Sequence, residues 1–219
     1  MVGGGARGVS RPEQLDRCQE ASFTEYYGLQ YRSTNLMLCL IQILTWGIRG
    51  YHFCVYTEAV VGRYCAVLAA AAIFLQLHQV RHLVSQPSIC CSERWKGYMY
   101  IADLAACTAS VVLTSGRLSA PLTTSSFVHT VHGWCTPFAG FRSSAAYLLH
   151  AVNFQCYLAM KVSEVFSGTS WSVRRLLGEA TCLLLLNCVL PILVNIEHEA
   201  RQRSKFAEKA ANGIKPSRA

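Results

Sequence analysis

Long apolar runs without Asp, Glu, Lys or Arg alternate along this chain with short charged gaps. The uncharged windows are Ser33–Ile48, Tyr64–Val80, Leu104–Ser115, Leu118–Phe141, Ser143–Met160 and Ala180–Ile196. A helix needs roughly 17–25 apolar residues to cross about 30 Å of hydrocarbon, and most of these windows approach or reach that length. Leu104–Ser115 reaches it only if Trp95–Asp103 extends it. A soluble helix would instead show an apolar stripe opposed by a charged face. Such stripes are largely missing, so the pattern predicts an all-α, polytopic helical bundle with lipid as its solvent.

The first predicted span runs from Ser33 past Arg49 to Tyr56, with Arg49 near enough to its end to snorkel towards headgroups. The second, Tyr64–Leu83, contains the run CAVLAAAAIF. Its small residues permit close helix approach, so this span is expected inside the bundle. A hydrophilic connection over 84–97 holds Pro87, Cys90 and Cys91, followed by Trp95 and Tyr98 at an interfacial position. The third span is Trp95–Ser115. Leu118–Phe141 is uncharged but rich in Ser, Thr, Pro and Gly, and three readings stay open: a full span, a broken span or a re-entrant segment. Ser143–Met160 and about Leu176–Ile196 complete the set, the last with a kink expected at Pro191.

Charge decides the span count. With five spans the Lys and Arg divide 10 against 10 between the two faces, whereas six spans give 14 against 6. The positive-inside rule therefore favours six spans, five being the alternative, with both termini cytoplasmic. Three regions follow: a polar N-terminal tail (1–32), a multi-span membrane domain (33–196) and a basic C-terminal tail (197–219). In that tail Glu197–Arg201 and Glu199–Arg203 stand at i,i+4 in the favourable order. Gly213 and Pro216 should end any helix there. Excess positive charge should hold the tail near anionic lipid.

Composition agrees. Only 15% of the 219 residues are charged, against about 25% in soluble domains. The first 33 residues hold no apolar core, so no cleavable secretory signal is expected, and a Met-Val start excludes N-myristoylation. Eleven Cys without a CxxC offer neither a zinc ribbon nor a thioredoxin motif. Most are read as small apolar residues in helices. Adjacent and juxtamembrane, Cys90 and Cys91 are candidates for S-palmitoylation.

Few residues carry candidate chemistry. Asp103, in YIADLAAC, is one of two Asp in the chain. An acid in a span is expensive unless paired or wetted, which makes it a candidate ion or proton site. The alternative is an interfacial pair with Lys96 or Arg94. His150 is at mid-span with Asn153 one turn on. His78/His82 and His129/His132 have spacings that can place two imidazoles on one metal, but a bis-His haem needs facing His at matched depth, and only His150 is clearly at mid-depth. No catalytic set survives a spacing test. An acyl-transfer pair needs Asp five residues after a His, an intramembrane aspartyl protease needs two membrane Asp, and Leu113 replaces the first Gly of a GxSG nucleophile motif. No P-loop or GxGxxG occurs. Neither a cofactor nor a metal is called for, and nothing suggests nucleic-acid binding.

The last span and its exit, LPILVNIEHEARQRSKF, pair an apolar helix with Glu199-x-Arg201-x-Arg203-x2-Phe206. This resembles the membrane-domain junction of receptor-type nucleotide cyclases and histidine kinases of green algae, over about 25 residues. The resemblance implies a sensor or anchor module, or a fragment of a larger receptor. The expectation is thus a non-enzymatic multi-pass module that senses, anchors or assembles, with the bilayer, membrane-protein partners or copies of itself as its contacts. A small transporter or channel with a polar path near Asp103 is the first alternative, and a haem-binding membrane oxidoreductase the second.

Overall fold

Leu, Ala and Met favour helix, and no proline interrupts the second, third, fourth or sixth helices described here. The computed structural model describes residues 17–85, 93–114, 124–166 and 173–212. Among these, every regular element is helical: α1 (Arg17–Gln30), α2 (Arg32–Tyr56), α3 (Ala59–Ser85), α4 (Glu93–Thr114), α5 (Ser125–Phe138), α6 (Ser143–Phe166), α7 (Val173–Leu184) and α8 (Leu190–Ala211). A π-helical turn, Leu185–Val189, joins α7 to α8 in one rod. Cys90 and Cys91 lie outside the described residues.

Contacts at the helix ends fix the topology. Arg32, opening α2, donates from Nε to the Leu83 carbonyl at the end of α3 (3.0 Å). Lys96, opening α4, reaches the carbonyls of Ala139 and Gly140 just past α5 (3.1 and 2.7 Å). Glu164, near the end of α6, accepts from the Ser125 N–H that opens α5 (3.2 Å). Successive helices therefore run antiparallel. The start of α6 meets α8, where Glu199 Oε2 accepts from both Ser143 N and Oγ at 2.8 Å.

Polarity is inverted relative to a soluble fold. Leu44, Phe74 and Leu148 are 65–69% exposed, whereas Arg49, Lys96, Asp103 and Lys161 are buried. A soluble monomer does not surround itself with so large an apolar girdle. Four helices, α2, α3, α4 and the rod Arg174–Ala211, are long and apolar enough to cross a membrane, which points to an integral membrane location.

One sequence expectation is corrected, and two others take a definite form. α3 is peripheral: its Gly62, Cys65, Ala69 and Ala72 face is buried, and a Cβ added at Gly50 of α2 would lie 3.4 Å from the Ala69 Cβ. Its other face exposes Val60, Tyr64, Val67 and Phe74. Small residues report one close neighbour, not enclosure. Among the described residues, Leu118–Phe141 contributes the 14-residue helix α5, about 21 Å long. Half its side chains are buried, and its ends are matched to its macrodipole, with the Glu164 carboxylate at the N-terminus and the Lys96 ammonium at the C-terminus. At Pro191 the irregularity is a widened turn, because proline has no N–H for the Asn187 carbonyl and crowds it.

Candidate functional site

Two polar networks occupy the interior, and α5 carries parts of both. The first is centred on Asp103 of α4. Trp46 Nε1 of α2 donates to its Oδ1 at 2.6 Å, and His132 Nε2 of α5 lies 3.0 Å from its Oδ2. The Arg49 guanidinium sits over the Trp46 ring (5.1 Å) and donates to Cys107 Sγ at 2.8 Å. Tyr100 donates to the His132 carbonyl (3.1 Å) and stacks edge-on against its ring. Asp103 is buried, and the partners named here are not Lys96 or Arg94, with which the sequence offered an interfacial pair. Its partners come from α2 and α5. Arg49 does not snorkel; at 2% exposure it is among the most buried cations of the chain.

Asp103, Cys107 and His132 also bring a carboxylate oxygen, a thiol and an imidazole nitrogen within 4.8 Å of one another. That donor set suits a divalent cation in kind. Charge argues the other way, since the Arg49 guanidinium already occupies the sulfur and would repel a second cation at contact. The cluster is better described as a closed hydrogen-bonded network.

Beside it lies a partly open cavity of about 70 Å³ between α2, α3, α4 and α5. Asn35, Gln76, Gln79, Lys96, Asp103 and His132 contribute to its wall, although most of its accessible surface is apolar. An apolar cleft of about 390 Å³ opens between α3 and α4 and shares Gln76, Met99 and Asp103 with the cavity.

The second network joins α5, α6 and the rod. His150 Nε2 lies 2.8 Å from Thr136 Oγ1, which also accepts from Asn195 Nδ2 (3.2 Å). Asn153 Nδ2 donates to the His129 carbonyl (3.0 Å), and Asn187 Nδ2 to Thr130 Oγ1 (2.7 Å). The His129 ring packs on Tyr157 and Phe154 at 5.0 and 5.8 Å, with Cys188 Sγ 3.9 Å from its Nε2. Four buried polar atoms here, His129 Nδ1, His150 Nδ1, Asn153 Oδ1 and Asn195 Oδ1, meet no protein partner.

Of the residues singled out from sequence, His150 and Asn153 thus share one network while Asp103 belongs to the other. His129 and His150 are both buried on facing helices. Thr136, Cys188, Tyr157 and Phe154 pack around them. Sequence reasoning missed Trp46, Arg49 and His132 as partners of Asp103. One signal was available: an arginine inside an apolar window calls for an interior partner.

A third group of charges lies at the end of the bundle where α1 meets α8. Arg203 donates to both Glu20 carboxylate oxygens at 2.9 Å and to Glu199 Oε1 at 2.9–3.1 Å. Arg142 pairs with Glu20. The Arg203 guanidinium holds the Glu20 carboxyl below its ordinary range. Phe23, Tyr26 and Tyr27 of α1 enclose Phe206, and Arg203 caps the Phe23 ring at 4.5 Å. Both expected i,i+4 pairs of the tail are formed, Glu197–Arg201 at 2.8 Å and Glu199–Arg203 at 2.9 Å.

Comparison with protein-family models, with curated proteins and with solved structures returns no match. Any functional reading therefore rests on the geometry above.

Proposed function

We propose that the chain is a non-enzymatic, multi-pass membrane module in which an interior polar site is coupled to a helix that leaves the bilayer, the arrangement of a sensor or signalling anchor. The observation that carries this reading is the rod Arg174–Ala211, 38 residues in one helix. At 1.5 Å per residue it is about 57 Å long, nearly twice the ~30 Å hydrocarbon thickness. It is tied to α5 through Asn187 and Asn195, to α6 through Glu199 and to α1 through Arg203.

Coupling has a physical route. His132 belongs to the Asp103 network, while Thr136, one turn on, bonds both His150 and Asn195. A short helix pinned by charges at its two ends can shift as a body. Occupancy of the Asp103 cavity that displaces α5 must then move the rod, provided the occupant binds the two arrangements unequally.

Six crossings suit this reading: α2, α3, α4, α5 shielded by its neighbours, α6, and the rod. An even count returns the chain to its starting side, in keeping with the contact between α1 and α8. The face carrying Glu20, Arg142 and Arg203 is then cytoplasmic, with 14 of the 20 Lys and Arg. Cys90 and Cys91 fall on that face in the same arrangement, available for acylation. Tags on the two termini should be accessible from the same side of sealed vesicles; opposite sides would refute the topology.

The transporter alternative predicts one polar path through Asp103, His150 and Asn153, whereas these divide between two networks. A direct comparison uses Asp103→Asn in lipid nanodiscs and in sealed vesicles. The sensor reading expects altered hydrogen exchange of the amides at 197–211, far from the substitution, and no Asp103-dependent proton flux. Flux that depends on Asp103, with exchange of the exit helix unchanged, would refute it.

A further inference from the structure

The Asp103 cavity does not stand alone, and its neighbour says what kind of molecule it takes. We propose that the cavity and the α3–α4 cleft form one site for a single-chain lipid with a small, uncharged oxygen head such as a hydroxyl. This rests on the membrane reading above and names the ligand class of the same interior site.

The cleft supplies the apolar half. Leu68, Ala71, Ala72 and Leu75 of α3 face Ala105 and Ala109 of α4. Small side chains there leave a volume of about 390 Å³, within the ~300–1,000 Å³ of ordinary ligand sites. It lies at the periphery of the bundle, since Ala71, Leu75 and Ala105 are exposed, so an acyl chain enters sideways from lipid without crossing water.

The cavity supplies the polar half. Gln76, Met99 and Asp103 border both spaces, so a chain in the cleft delivers its head between Gln76 and Asp103. At about 70 Å³ the cavity has room for a hydroxyl with a water or two. Asn35, 4% exposed and lining this cavity, has an Nδ2 group with no acceptor in the protein. An unmade buried bond is costly, and a head-group oxygen supplies the missing acceptor. A charged head is disfavoured because both charges in the wall are already engaged. Lys96 donates to two backbone carbonyls, and Asp103 is held by Trp46 and His132. Carboxamides are what remain, and these suit a neutral oxygen.

The test uses the full chain in phosphatidylcholine nanodiscs with a long-chain primary alcohol bearing a photoactivatable diazirine in its chain. Crosslinks should concentrate on 68–75 and 102–109, the cleft walls. Excess unlabelled alcohol should displace the probe, and the alkane of equal length should not. Ala105→Trp, which fills the cleft from its exposed side, should abolish labelling there. Asn35→Leu should lower it about ten-fold, the effect of one unmade buried hydrogen bond, without lowering the unfolding temperature, because it removes a donor that had no partner. Labelling spread evenly over lipid-facing residues such as Leu44 and Leu148, or equal competition by the alkane, would overturn the proposal. Failure of the chain to enter nanodiscs at all would instead overturn the membrane reading. Selective labelling that fails while Asp103→Asn still alters exchange at 197–211 would remove the ligand class and leave the sensor reading in place.

Discussion

Gly133 lies where α5 crosses the rod, and replacing it with alanine tests the packing on which the coupling argument stands. A Cβ at this position would fall inside the contact radius of the Asn187 carbonyl oxygen and within 3.2 Å of that carbonyl carbon. The obstacle is backbone rather than a side-chain tip, so it cannot rotate away. Restoring ordinary contact requires moving the two helices apart by about 1 Å. That movement strains the Asn187–Thr130 and Asn195–Thr136 bonds that tie them. Overpacking of this kind costs about 1–3 kcal/mol, and each interhelical bond lost adds roughly 0.6 kcal/mol. Against this, Gly→Ala in a helix interior gains up to about 1 kcal/mol. The net expectation is a loss of about 1–2 kcal/mol.

Gly178 provides the matched control, because it is exposed in α7 and a Cβ there meets nothing within 4 Å. With the same chemical change and no obstruction, Gly178→Ala should stabilise by up to about 1 kcal/mol. The two variants should therefore differ by about 2–3 kcal/mol with opposite signs. Reversible unfolding in mixed micelles, followed by helical circular dichroism, reads the difference directly. Trp46, buried against Arg49, adds a fluorescence signal from the neighbouring network. If Gly133→Ala proves as stable as Gly178→Ala, the close crossing is wrong, and the route from His132 to the rod goes with it.

Two further outcomes follow from the charged groups. Asp103→Leu leaves the Trp46 and His132 donors facing an apolar side chain and should cost about 3–5 kcal/mol, whereas Asp103→Asn keeps acceptor and shape and should cost about 2 kcal/mol; equal losses in chemical denaturation would contradict the assigned bonds. The lowered Glu20 carboxyl contributes stability that is fully present above its ordinary value of 4.5 and is lost as pH falls through the lower folded value, so spin labels replacing exposed Glu25 and Lys205 should show a broadened distance distribution only on that acid side, and an unchanged distribution there would refute the α1–α8 contact.

Element positions were largely readable from the chain because ionised residues punctuate it. Expected spans over Ser33–Tyr56 and Trp95–Ser115 correspond to α2 and α4 within about two residues at each end. Sidedness within the bundle was not readable in the same way. An uncharged window looks the same whether it meets lipid or protein, so α5 could not be told from a full span. Its end charges, Glu164 and Lys96, come from other helices. His129 and His132 stand only about 60° apart around α5, yet one turns towards α6 and the rod and the other towards α4. Arg49 was misplaced because the end of a hydrophobic helix was equated with the membrane surface.

Proton counting explains why Asp103 can stay at such depth. His132 Nδ1 lies 2.8 Å from the Val128 carbonyl, which can only accept, so Nδ1 carries a hydrogen. One more proton joins Nε2 to Asp103 Oδ2. Placed on nitrogen it gives imidazolium and carboxylate; placed on oxygen it gives imidazole and carboxylic acid. Both arrangements have zero net charge, so neither asks the interior to hold an isolated anion. The Arg49 guanidinium stands close by, over the Trp46 ring. Its own charge is spread over the Trp46 face and the Cys107 sulfur. Removing the carboxylate but keeping its shape therefore weakens the network, whereas removing both dismantles it.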